Sequence, residues 1–305
     1  MTVQFLLQWL TKKAKSDLRF VAQMLADCAR SVSPAPLLFD PVSWSDDAVH
    51  IGWVGHACVL IKMYGITILT DPTLSARVGP NIGPFVFGPK RYVLPGLENR
   101  KPRVDLVLVS HSHFDHMDLR TLRSIVSTRF LVAPKHTQDI LAGAMAEKVI
   151  ELQWGRTLEF HLNEVKISVS AFPVKHNGAR WRHDTYRACN GYLISCNGVR
   201  IAFVGDTAFD QRLSTAVPGS DRPDVVIVPI GSYDPYERNH CTPEQALRVA
   251  EMLGSRFVVP IHHKTFRLSR ERLNEPLDRF LSASAITPIA RVPLEIGGHW
   301  VMPST

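Results

Sequence analysis

No apolar run in this chain approaches the ~18–20 residues that cross a bilayer. Cysteine is scarce: Cys28, Cys58, Cys189, Cys196 and Cys241 are odd in number and form no CxxC pair. That argues against a disulfide framework and a four-cysteine zinc site, and fits a reducing cytosol. Charged residues make up only 21% against 45% apolar ones, which excludes a largely disordered or collagen-like chain. The 305 residues allow one large domain or two small ones. Histidine and positive charge are in excess. The 13 histidines outnumber Met, Trp or Tyr, and 35 Lys+Arg against 28 Asp+Glu leave +7. Neutral imidazole is the commonest metal ligand and a frequent acid–base group.

Near the start, Phe5, Leu6, Leu7, Trp9 and Leu10 precede Lys12, Lys13 and Lys15. A secretion signal has the opposite order, so none is expected. Apolar residues at 3–4 residue spacing, from Phe5 to Leu10 and from Phe20 to Leu25, predict one helix or two short ones over residues 3–30. Such a helix either lies on a membrane surface or packs on the domain or a partner chain. Ser31, Ser33, Pro34 and Pro36 mark a linker.

Short β-rich runs follow at 50–54, 58–63, 66–70, 104–110, 130–133, 148–153, 165–172, 191–196, 199–205, 224–230 and 256–261. Helices are predicted over 118–127, 136–146 and 242–253. The last has Thr242 as N-cap, Pro243 at the first position and Glu244-Gln245 in the first turn. Residues 72–103 form a long loop rich in Pro and Gly, whose Phe85, Val86, Phe87, Tyr92 and Leu94 speak against disorder. Two groups of strands with helices between them predict a layered α/β sandwich.

The chemistry concentrates where strands end. The apolar run Val104–Val109 leads through Ser110 into His111, His113, Asp115 and His116. Nitrogen and carboxylate ligands at this density suit zinc or a similar divalent ion, and division between two ions relieves the crowding. Three later apolar runs also end in a ligand type: 171–175 in His176, 201–205 in Asp206 and 257–261 in His262. One such residue is ordinarily a turn former; three of them beside an HxHxDH cluster are not coincidence.

The HxHxDH pattern with a distant His, Asp and His resembles the metallo-β-lactamase superfamily. Trp53–Ala57, Leu69–Pro72, Gly88–Arg91, Val204–Thr207 and Thr242–Ala246 resemble the branch containing N-acylphosphatidylethanolamine-hydrolysing phospholipase D. The resemblance covers about residues 48–300. It implies a four-layer αββα metallo-β-lactamase sandwich over 37–305, preceded by the helix and linker of 1–36. It also implies two divalent ions, Zn2+ by default with Mn2+ or Fe2+ as alternatives. His111, His113 and His176 would hold the first ion; Asp115, His116 and His262 the second; Asp206 would bridge them. The adjacent His263 rivals His262 for the last place.

What the resemblance implies chemically is a water made nucleophilic between ions ~3.5–4 Å apart, oriented by Asp115 and Asp206. His240 is a candidate acid or substrate donor, or else an ordinary loop histidine; His56 is a candidate support for the ligands. Lys90 and Arg91, with Arg100, Lys101 and Arg103, and Arg180 near His176, favour an anionic substrate. A phosphodiesterase on a phospholipid or another anionic phosphodiester is expected, with peripheral membrane contact through residues 3–30. The alternatives are a lactonase or carboxylic-ester hydrolase on a small anionic metabolite, a nuclease, and a non-catalytic metal-binding protein. Nucleic acid is disfavoured because the basic charge comes without an RNA-binding arm or an aromatic–basic stacking motif. Full retention of seven ligand types disfavours a merely structural site, which needs only four. The residues after His176 and His262 are Asn177 and His263, where the phospholipase has Trp, so the resemblance does not carry over an acyl-binding surface and a smaller or different phosphodiester is also expected.

Overall fold

The computed structural model describes residues 22, 26–27, 29–83, 85–98, 103–125, 129–141, 149–217, 221–292 and 294–303. The helix expected over 3–30 therefore lies almost wholly outside the described residues, as does any membrane contact it would make. Where the description resumes, Arg30 stacks over Tyr92 at 3.8 Å and donates to the carbonyls of Lys90 and Arg91 at 2.8 and 3.0 Å. No helix among the described residues is long and apolar enough to cross a membrane.

Strands β1 (Val49–Gly55), β2 (Cys58–Met63) and β3 (Ile66–Thr70) form an antiparallel meander. Within the Pro/Gly-rich segment, β4 (Asn81–Ile82) and β5 (Phe85–Val86) make a small separate hairpin. Then β6 (Leu106–Leu108), β7 (Phe130–Pro134) and β8 (Val149–Leu152) continue the first sheet in parallel from β3. A second sheet opens with β9 (Thr157–Leu162), β10 (Val165–Phe172), β11 (Gly191–Cys196) and β12 (Val199–Phe203), all antiparallel. Parallel β13 (Val225–Pro229), β14 (Phe257–Ile261) and β15 (Ala290–Arg291) extend it. Finally β16 (His299–Val301) returns to pair with β1. The sheet orders are β16-β1-β2-β3-β6-β7-β8 and β15-β14-β13-β12-β11-β10-β9.

Period-2 alternation explains the layers. In β2, Val59, Ile61 and Met63 face the core between the sheets, while Cys58 and Leu60 face outward. In β12 and β13, Ile201, Phe203, Val225 and Ile227 point inward, while Ala202, Val226 and Val228 point outward. Strands buried on both faces read as continuous apolar runs. Each buried Val, Leu or Ile contributes about 1.5–3 kcal/mol.

Helices cover the outer faces. Helix α1 (Leu119–Ser124) places Leu122 against Leu69, Val107 and Leu131. Helices α2 (Pro243–Met252) and α3 (Glu275–Ser284) lay Ala246, Leu247, Ala250, Leu277 and Phe280 over the second sheet. The result is the expected αββα sandwich. Thr242 and Gln245 close a capping box on α2, as the residue pattern implies. The helix expected at 118–127 runs over 119–124: Asp118 caps it, accepting from Arg120 N, Ile125 leaves helical geometry, and 126–128 lie outside the described residues. Over 136–146, residues 136 and 138–141 lie in turns and 142–148 lie outside the described residues.

Strands β9 and β16 and helix α3 were not legible. β9 alternates exposed and buried residues at the sheet edge, and Asn163-Glu164 turns it into β10 with both φ angles positive. That turn ordinarily carries an Asn-Gly signal, absent here.

The sheets meet at a glycine. Gly205 follows β12 with φ +63°, and a Cβ there would lie 2.6 Å from Ser110 Cβ, just past β6. Gly205→Ala therefore combines left-handed backbone strain with a clash between the sheets. Urea unfolding should show a loss of about 2–4 kcal/mol; a loss below 0.5 kcal/mol would refute tight contact there.

Candidate metal centre

Strands β1, β3 and β6 run in one direction, as do β10, β12 and β14 in the facing sheet. Their C-terminal ends lead to His56, Asp71, Ser110–His116, His176, Asp206 and His262 respectively. Loops at such ends carry ligands because a packed sheet holds the takeoff point rigid while the loop aims the side chain.

Two sets of side chains converge. In the first, His113 Nδ1 lies 2.8 Å from His111 Nε2 and 3.3 Å from His176 Nε2. In the second, His116 Nε2 lies 3.2 Å from His262 Nε2 and 3.5 Å from Asp115 Oδ2, and His262 Nε2 lies 3.6 Å from the same oxygen. Asp206 faces both. Its Oδ2 is 3.2 Å from His116 Nε2, 3.8 Å from His176 Nε2 and 4.0 Å from His111 Nε2; its Oδ1 is 3.3 Å from His262 Nε2. His240 Nδ1 stands 3.6 Å from Asp206 Oδ2, buried and without a hydrogen-bond partner.

The hydrogen-bond network leaves the inward nitrogens bare. His116 Nδ1 donates to Asp71 at 2.6 Å, and His176 Nδ1 donates to the Asn239 carbonyl at 2.9 Å. His111 Nδ1 donates to Ser110 Oγ at 2.9 Å, which itself donates to Asp71 at 2.6 Å. These bonds assign the proton of each ring to its outer nitrogen. Lone pairs and carboxylates then face one another at 2.8–4.0 Å. That is repulsive unless a cation sits among them. Around a tetrahedral zinc with bonds of about 2.05 Å, ligand atoms stand about 3.4 Å apart. The donor set fits divalent metal.

Apart from His116, the protonation states agree. Burial pushes the pKa of His111 well down, helped by His116, His113 and His176; burial lowers His113 and carries His176 to about 4. Burial would raise Asp115 and Asp206, but the charge of His116, with His262 and other neighbouring histidines, holds both well below the usual carboxylate range. Burial likewise works against a charged His116, yet Asp206, Asp115 and Asp71 outweigh it and push its pKa up. The pocket stabilises positive charge. Neutral imidazoles and ionised carboxylates are the forms that bind metal.

Asp71 is the residue that motif reading missed. It is fully buried, and burial raises its pKa against the opposing pull of His116 and Ser110. It accepts from Ser110 N, Ser110 Oγ and His116 Nδ1, each at 2.6 Å. The available signal was its place directly after an apolar run, the same position that marks Asp206 and His262. His56 Nε2 bonds Asp115 Oδ2 at 2.9 Å, and its backbone N donates to Thr265 Oγ1 while its carbonyl accepts from His262 N. It thus joins the end of β1 to the end of β14. Both His56 (φ 57°) and His262 (φ 65°) hold left-handed backbone, a strain typical of functional turns.

The basic residues divide. Lys90 turns its ammonium to the Arg30 carbonyl, away from the cluster. Arg91, expected to favour an anionic substrate, is buried: it donates to Leu74 and Thr73 carbonyls and lies over Phe266, whose ring edges His56. Neither points at the donor atoms. Arg187 is tied to Asp184 and Asp139 at 2.7 and 2.6 Å. Arg180 borders the ligand loop, donating to Ser112 and Met117 carbonyls. Of the 262/263 pair, His262 joins the cluster; His263 packs its ring on Trp53 at 4.5 Å, with both nitrogens buried and unpartnered.

The family model described as "Beta-lactamase superfamily domain" matches residues 67–263. The chain belongs to that superfamily and has its metal-dependent hydrolase fold. An uncharacterised protein of Mycobacterium tuberculosis is 28% identical over 284 residues, covering 88% of this chain and 74% of the relative. The Caenorhabditis elegans N-acyl-phosphatidylethanolamine-hydrolyzing phospholipase D 1 is 29% identical, covering 77% of this chain and 69% of that protein. Igni18, a metallo hydrolase from Ignicoccus hospitalis, superposes with TM-score 0.61 at 20% identity, covering 85% of this chain and all of Igni18.

His263 offers a clean pH test. Burial, then Lys264, lowers its pKa to about 3, against about 6.5 in the unfolded chain. Above pH 6.5 it costs nothing. As pH falls below that, the unfolded chain takes up a proton the native state refuses, and stability drops by up to about 1.4 kcal/mol per pH unit. His263→Phe, which also removes unpartnered nitrogens, should flatten the stability curve by that slope between pH 6 and 4 in urea titrations. Parallel curves would contradict the assignment.

Proposed function

We propose that this chain is a dinuclear metal-dependent hydrolase that cleaves an anionic phosphodiester. The carrying observation is the Asp206 carboxylate, which faces both donor sets at once. In this reading His111, His113 and His176 hold one ion, Asp115, His116 and His262 the other, and Asp206 is shared. Zinc suits the nitrogen-rich set, with Mn2+ or Fe2+ as alternatives favoured by the carboxylates. Bound divalent ions supply an activated water and Lewis-acid stabilisation of the developing negative charge.

The protein's own groups do the rest. Asp115 and Asp206, ionised at neutral pH, accept hydrogen bonds from the attacking water and orient it. His56 keeps Asp115 in place through its 2.9 Å bond. His240, whose pKa burial brings to about 3, is neutral at pH 7 and serves as a hydrogen-bond donor to a substrate oxygen. An imidazolium acid would need a pKa nearer the working pH. The phosphodiester preference draws on Arg180 beside the ligand loop and on the phospholipase D-named relative. Cys58, Cys189, Cys196 and Cys241 are buried free thiols, which supports a reducing, cytoplasmic compartment.

Metal analysis of the purified protein, with a panel of nitrophenyl phosphodiesters, lactones and thioesters, tests this. Two metals per chain and phosphodiester hydrolysis are expected; His262→Ala should lose metal and activity where His263→Phe keeps both. Less than one metal and no activity would sink the proposal. Asp71→Asn keeps the size but removes the charge that orients His116. Metal affinity should fall 10–100-fold, and unchanged affinity would contradict the orienting role.

A further inference from the structure

Beside the ligand loop lies a small cavity of about 40 Å3, bordered by Arg77, Arg120, Arg180, Asn81, Phe114 and Asp118. Three arginines and one carboxylate line it, and Arg77 donates to the Gly88 carbonyl at 2.9 Å. That carboxylate is already engaged: Asp118 accepts from Thr121 Oγ1 at 2.6 Å, Ser75 N at 3.3 Å and Arg120 N at 3.2 Å. Neither Arg120 nor Arg180 has a carboxylate within 4.0 Å among the described residues, although ion pairs occupy Arg187, Arg212 and Arg279 elsewhere. Arg120 is steered over the cavity by its 2.7 Å bond to Asn81 Oδ1. Arg180 lies over the Phe114 ring at 3.9 Å, and burial lowers its pKa to about 10, so it remains charged at neutral pH.

Asp118, Asp184 and Asp115 act on Arg180 only from a distance, and a partly buried arginine without a directly paired anion is costly unless one completes it. The cavity admits about three waters at ~10–15 Å3 each, which is room for one small oxyanion. Planar guanidinium groups match such oxygens bidentately. Phe114 and Asp118 belong to the same loop as His113, Asp115 and His116, so the cavity and the metal centre share a wall.

We infer that this arginine cavity is an anion subsite that takes a second, non-reacting phosphate-sized group of the substrate. The substrate half of the inference rests on the hydrolase reading; the anion half does not. The enzyme would then prefer a diester carrying a further phosphate to one without it. A free anion acting as an effector would use the same chemistry, so the experiment separates the two sources.

Inorganic phosphate titrated calorimetrically into the metal-loaded protein should show a binding event weakened at least tenfold in Arg120→Met and in Arg180→Met. Arg120 is exposed on α1, so its variant should fold and keep its metal content; Arg180, which also pins the ligand loop, is read beside its metal analysis. Phosphate binding identical in wild type and Arg120→Met would overturn the anion site. In the kinetic arm, paired nitrophenyl phosphodiesters differ by one added phosphate. Arg120→Met should raise KM at least fivefold for the phosphate-bearing member relative to the other. Equal changes in both would overturn the substrate assignment and leave an effector site. Arginine-dependent phosphate binding in a protein without metal or hydrolysis would instead defeat the hydrolase reading and keep the anion site.

Discussion

The buried carboxylate of Asp71 is the interaction on which the site depends. It receives three hydrogen bonds at 2.6 Å, from one backbone amide, one hydroxyl and one imidazole. Through Ser110 it reaches His111, and directly it sets His116. One charge thus decides which nitrogen of two different rings faces inward. A buried carboxylate is expensive without such partners. Its position follows from β3 and β6 being parallel neighbours, so that Asp71 and Ser110 leave their strands side by side.

The sandwich serves that arrangement. Alternating side chains bury both faces of each central strand, which makes the strand ends rigid. The strands that lead to site residues run one way within each sheet, so all their loops open on one rim. The sheets then close on each other at Gly205, where an added Cβ would strike the Cβ of Ser110. The backbone bonds of His56 with Thr265 and His262 close the opposite corner. Positive φ at His56 and His262 is the conformational cost of turning both rings into the same space.

Legibility followed physical locality. The central strands were readable because an apolar run needs no knowledge of its partners, and α2 because Thr242 and Gln245 form their box within one turn. The strand runs at 104–110 and 199–205 end earlier in the structure, since Ser110 and Gly205 leave the sheets to build the site. Edge strand β9 and strand β16 take their conformation from pairing across long sequence separations. Arg91 was expected to face an anionic substrate because nothing local reveals that Thr73, Leu74 and Phe266 enclose it.

The order of residues alone determined which chemistry is available: HxHxDH, His176, Asp206 and His262 each stand just past an apolar run. It determined the superfamily and the layered architecture as well. Only tertiary structure chose between His262 and His263, because adjacent residues point opposite ways and packing on Trp53 takes one of them. Tertiary structure also revealed Asp71 as the orienting charge, sent Arg91 to the interior and gathered Arg77, Arg120 and Arg180 around one cavity. The reason is common to all of these. A side chain's role depends on the direction of its Cα–Cβ bond and on what encloses it, and both are properties of neighbours far away in the chain.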